Sequence, residues 1–79
     1  MQHIAIDLGG TESQVCVRAS DGQILTERKL RNDALQKFLR GQEPSRVILE
    51  TCSEAFRVAD WATECQHEVR VIALKTKTG

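Results

Sequence analysis

Two acids, Asp7 and Glu50, each close a short apolar run: Asp7 follows Ile4-Ala5-Ile6, and Glu50 follows Val47-Ile48-Leu49. Strands that each deliver a carboxylate at the C-terminal end are a common way to build a divalent-metal site. In an open parallel sheet, the crevice beyond the carboxyl ends of the strands is also where ligands bind. Oxygen ligands at adjacent strand ends suit Mg²⁺ or Mn²⁺, hard cations that favour carboxylates and water. Two such ions about 3.5–4 Å apart activate a water and stabilise a leaving oxygen in phosphodiester cleavage. Each acid also has a plainer reading. Asp7 could end its strand by accepting bonds from the Gly9 and Gly10 amides, and Glu50 could sit near a helix N-terminus, where the dipole favours negative charge.

The elements that must position the pair follow from periodicity. His3 to Leu8 is a near-continuous apolar strand, as expected of one covered on both faces. After Gly9-Gly10, the run Ser13 to Ala19 alternates, with Val15, Val17 and Ala19 on one face and Gln14, Cys16 and Arg18 on the other. Asp21-Gly22 is a hairpin signal, and the more polar Gln23 to Leu30 is the return strand, at an edge. Asn32 is expected to cap a helix carrying Leu35, Phe38 and Leu39, which Gly41 stops and Pro44 prevents from resuming. Arg46 to Glu50 is a further strand. Thr51-Cys52-Ser53-Glu54 has capping-box spacing, and the helix after it places Val58, Trp61, Ala62 and Cys65 in one stripe. Glu68 to Leu74 reads as a fifth strand.

The order is thus β-β-β-α-β-α-β. A three-strand meander followed by two right-handed crossovers gives the sheet order 3-2-1-4-5 with the second strand antiparallel. This is an α/β chain with the core of the ribonuclease H-like fold. The first and fourth strands become neighbours, roughly 4.8 Å apart, and Asp7 and Glu50 emerge side by side. Nucleases of this fold usually bring three or four acids, so two are too few.

Composition limits the rest. The chain has 79 residues, which allows one domain at most, and a chain this small buries roughly 60% of the surface it exposes when unfolded. Eleven Lys and Arg balance eleven Asp and Glu, so no global field draws nucleic acid or membrane. Local basic clusters occur at Arg70, Lys75 and Lys77 and at Arg28, Lys29 and Arg31, and both read as solvated surface. Three cysteines, Cys16, Cys52 and Cys65, with no C-x-x-C, indicate a reducing cytoplasm rather than a disulfide framework. Cys16 and Cys65 are expected to act as small core hydrophobes. No apolar run approaches the ~20 residues of a membrane-spanning helix. His3 and His67 each begin a strand and read as surface or packing residues.

The segment Val47-Ile48-Leu49-Glu50-Thr51-Cys52-Ser53, followed by His67-Glu68-Val69-Arg70-Val71-Ile72, resembles the N-terminal domain of the DEDD-type insertion-sequence transposases. There an E-[AT]-C-[GS] motif is followed by a helix and then by G-H-E-V-R. Ile4-Ala5-Ile6-Asp7-Leu8 is similar to the family's opening strand with its first catalytic acid. The resemblance implies a RuvC-like nuclease domain that uses four acids with Mg²⁺ (or Mn²⁺), acts in DNA transposition and recombination, and takes an RNA guide for target choice. Asp7 would be its first acid and Glu50 its second. The other two acids lie downstream of the fifth strand in the family, so the resemblance implies an incomplete domain over 1–79, inactive alone. The chain departs from the family pattern at Gly9-Gly10-Thr11, at Phe56-Arg57-Val58, and at Gln66, where the family has glycine.

Two other readings stand beside this one. Asp7-Leu8-Gly9-Gly10-Thr11 also resembles the first phosphate loop of ATP-dependent sugar kinases, which share this fold with actin-like ATPases. Consecutive glycines let backbone N–H groups approach phosphate oxygens. The Glu50 and His67 blocks favour the transposase. The third reading is non-catalytic: a remnant that binds DNA, RNA, another copy of itself or a full-length transposase without cutting.

Overall fold

The computed structural model describes residues 1–50 and 55–72. It contains a five-stranded mixed sheet in the order β3-β2-β1-β4-β5, with β1 at His3–Leu8, β2 at Glu12–Arg18, β3 at Ile24–Arg31, β4 at Arg46–Glu50 and β5 at Glu68–Ile72. β2 runs antiparallel to both its neighbours, whereas β1, β4 and β5 are parallel. This is the ribonuclease H-like order that the sequence predicts. A single 3₁₀ turn, Asn32–Ala34, leads into α1 at Leu35–Arg40, and α2 spans Ala55–Glu64. The Thr51–Glu54 capping box and the expected extension of the fifth strand to Leu74 lie outside the described residues.

Alternation decides which side chains form the core. Ile4 and Ile6 of β1, Val15 and Val17 of β2, and Val47 and Leu49 of β4 point to one face. There they meet Leu35 and Leu39 of α1 and Val58 and Ala62 of α2. The expectation that β1 is covered on both faces is not met among the described residues. Ala5 and Asp7 on its other face are exposed, because both helices pack against the same side. Cys16 shares that open face and is half-buried, and Cys65 is half-buried at the end of α2. Neither is the core residue that its apolar neighbours suggest. The same alternation splits the basic cluster: Arg28 lies opposite Val15 on the helix side, its guanidinium 6.0 Å from the Phe38 ring centroid, while Lys29 pairs with Gln14 on the open side.

The connections show how local chemistry sets the frame. Gly22 closes the β2–β3 hairpin with φ +94°, a conformation that favours glycine. The Asp21 carboxylate accepts the Gln23 N–H at 3.0 Å, and the β2–β3 register shifts at Val17/Arg18. α2 ends in a Schellman arrangement: the His67 N–H donates to the Ala62 carbonyl at 3.0 Å and the Gln66 N–H to Thr63 at 3.0 Å. The residue between, Gln66, takes φ +66°. His67 is then buried at the entry to β5, where Nδ1 accepts the Ser45 N–H at 3.0 Å and Nε2 donates to the Leu39 carbonyl at 2.7 Å. The ring is a packing residue, as its place at a strand start predicts, and it joins the end of α1 to the start of β4.

Candidate metal site on the open sheet face

β1 and β4 run parallel with Ile6 opposite Leu49, so the next step along both strands brings Asp7 level with Glu50. Asp7 follows the buried Ile6 and Glu50 follows the buried Leu49, so both project from the open face. They line one cavity of about 190 Å³, together with Ala5, Gln14, Cys16 and Ile48. The two sequence-selected acids are thus brought together, on one face at the carboxyl ends of neighbouring strands.

Asp7 and Glu50 are exposed, and among the described residues neither forms an ion pair. Two hard oxygen donors on strands roughly 4.8 Å apart, with water free to fill the remaining positions, fit Mg²⁺ or Mn²⁺. Gln14 is a further oxygen donor that sequence reasoning passed over. It pairs directly with Asp7 across the β1–β2 ladder and lines the same cavity. The alternation of β2 already placed it with Cys16 and Arg18, and its signal was its register against Asp7. Among the described residues no cluster of three or more His, Cys, Asp or Glu gathers at one point.

The plainer reading of Asp7, as acceptor for the turn amides, does not match the geometry. The Gly9 N–H is directed to Ser13 Oγ at 3.4 Å. The turn is held instead by Asn32, whose side-chain amide donates to the Gly9 carbonyl at 2.9 Å and to the Gly10 carbonyl at 3.3 Å. Ser13 Oγ in turn donates to Asn32 Oδ1. Asn32 accordingly does not cap α1 with its side chain. The N-cap residue of the 3₁₀ turn is Arg31 and that of α1 is Ala34, and neither makes a side-chain capping bond. Gly9-Gly10 has a structural role in this tie, whatever else it contacts.

No protein-family model matches the chain, and a search among curated proteins finds no match. Among the described residues no helix is long and apolar enough to cross a membrane.

Proposed function

We propose that this chain is the N-terminal part of a DEDD-type transposase that acts in DNA transposition through metal-dependent phosphodiester chemistry, and that it is inactive alone. The observation that carries this reading is the placement of Asp7 and Glu50 level with each other on neighbouring parallel strands, facing one cavity. When bound there, Mg²⁺ or Mn²⁺ would supply Lewis-acid stabilisation of charge on phosphate oxygens. Asp7 and Glu50 would hold the cation, and Gln14 would orient one of its waters or add an oxygen. Two carboxylates fall short of the three or four that such nucleases bring, and this shortfall is the reason for inactivity in isolation. The left-handed backbone at Gln66 gives the reading further support, because the family's glycine stands at that position. DNA and a guide RNA are the proposed partners, with self-association or pairing to a full-length transposase as the alternative to catalysis. A reducing cytoplasm fits the free thiols of Cys16 and Cys65.

The test is a titration of ¹⁵N-labelled protein with Mn²⁺. Paramagnetic broadening should centre on Asp7, Gln14 and Glu50 and disappear in Asp7→Asn. Equal broadening in the variant, or broadening centred elsewhere, would remove the site. In parallel, the protein with Mg²⁺ or Mn²⁺ should leave linear and branched DNA uncut, and cleavage lost in Asp7→Ala would overturn the claim of inactivity.

A further inference from the structure

A second cavity, of about 370 Å³, opens on the helix side of the sheet at the carboxyl end of β1. Its volume is within the roughly 300–1,000 Å³ of small-molecule sites. Leu8 and Val58 give it an apolar base. Trp61 lines it from α2, one turn beyond Arg57, while Asp33 lines it from the 3₁₀ turn and Gln36 from α1. Arg57 is exposed, and Trp61 and Gln36 are half-buried. The chain has a single tryptophan and no tyrosine, so one of its three aromatic side chains stands at this pocket.

Each of these groups matches part of one ligand class. The Trp61 indole packs against the core cluster and also lines the pocket. Its half-buried ring offers an aromatic surface to a heterocycle, and stacking of this kind tolerates any base. The Gln36 amide carries both donors and an acceptor. The exposed Asp33 carboxylate, whose Oδ1 lies 3.6 Å from Arg31 Nε, keeps further lone pairs that accept. Together they complement the mixed edge of a nucleobase. The exposed Arg57 guanidinium carries five N–H donors, enough to serve a phosphate beside another partner. An apolar ligand would take water from Gln36, Asp33 and Arg57 without replacing its hydrogen bonds. A bare phosphate would leave Trp61 and the apolar base unused.

We infer that this pocket binds a nucleotide, with its base against Trp61, its base edge toward Gln36 and Asp33, and its phosphate toward Arg57. The inference goes beyond the metal site, because Leu8 and Asp7 project from opposite faces of β1 and the pocket shares no residue with the Asp7–Glu50 cavity. The same chemistry is offered by a free nucleoside monophosphate and by an unstacked residue of a single strand.

Because Trp61 is the only tryptophan, all tryptophan fluorescence comes from a side chain that lines the pocket. The full chain is titrated with AMP, GMP, adenosine, and a mixed-sequence single-stranded octanucleotide, with N-acetyltryptophanamide as the control for collisional quenching. Saturable quenching is expected from the phosphorylated ligands, with weaker binding of adenosine. Arg57→Gln and Gln36→Ala, both checked for folding by circular dichroism, should each weaken binding about fivefold or more, the scale of losing one such contact. Saturation by mononucleotides assigns the site to free nucleotides, and saturation by the octanucleotide alone assigns it to single strands. Quenching no greater than that of the control, or unchanged affinity in both folded variants, would overturn the inference. Because the readout is independent of divalent metal, its failure would be distinct from failure of the metal site.

Discussion

The side-chain amide of Asn32 donates to the Gly9 carbonyl at 2.9 Å, fastening the turn after β1 to the first residue after β3. The backbone adds a second tie, since the Asn32 N–H donates to the Thr11 carbonyl at 2.8 Å. The end of β1, which carries Asp7, is thereby fixed against the start of the helical layer. Asn32→Ala removes the side-chain donors and leaves Ser13 Oγ without its acceptor. The expected cost is about 1–3 kcal/mol, read as a lower denaturant midpoint with an unchanged slope.

The two glycines of the turn should respond differently to substitution. A Cβ on Gly9 would lie 2.3 Å from the Glu12 carbonyl oxygen, whereas one on Gly10 would meet nothing within 4 Å. Gly9→Ala is therefore expected to destabilise by about 1–3 kcal/mol and Gly10→Ala to fall within about 0.5 kcal/mol of the parent. Thermal melts of the two variants make the comparison. A phosphate-loop role for the pair would add a second signature, loss of ATP-induced shifts in Gly10→Ala.

Gln66 holds a left-handed conformation at the end of α2, where an L side chain is strained and glycine is not. Gln66→Gly should stabilise the chain by about 0.5–1 kcal/mol, the relief of strain being partly offset by the freer unfolded chain. Chemical denaturation checks the sign. Gln66→Val should move stability in the opposite direction.

Arg46 on β4 donates from Nε to the Glu68 carboxylate on β5. That hydrogen bond, then the Arg46 charge, hold the Glu68 carboxyl below its ordinary range. A carboxyl depressed in the folded state contributes stability above its ordinary titration range and loses that contribution as pH falls through the lowered folded-state value. The stability gap between the parent and Glu68→Gln should thus be constant from pH 7 to about 5 and close on further acidification. The gap should be small and shrink with added salt, as for an exposed pair. Urea midpoints measured across that range provide the check.

The parts of this fold that local spacing specifies were readable in advance. The Asp21-Gly22 turn, the Gly41–Pro44 interruption and the alternation of β2 determine the strand order, and the order alone brings Asp7 beside Glu50. Asn32 shows where such reading stops. Its spacing suits a helix cap, yet its amide bonds a turn 23 residues earlier, and no local pattern records that partner. His67 is similar, since a buried ring that joins Ser45 to Leu39 depends on contacts made only after both crossovers close. The nucleotide pocket also depends on two elements meeting: neither the Asp33–Gln36 segment nor the Arg57–Trp61 turn forms it alone. The apolar run of β1 shows that one face is buried without showing what covers the other, and among the described residues both helices lie on one side.

Among the described residues both helices cover the same side of the sheet, and this has an evolutionary consequence. The residues that keep the chain folded, among them Ile4, Val15, Val47 and Leu49, point to the helices, while Ala5, Asp7, Gln14, Ile48 and Glu50 point away. Selection on stability and selection on chemistry therefore act on alternate positions of the same strands. Every second residue can drift toward a new ligand or partner while its neighbours continue to hold the scaffold.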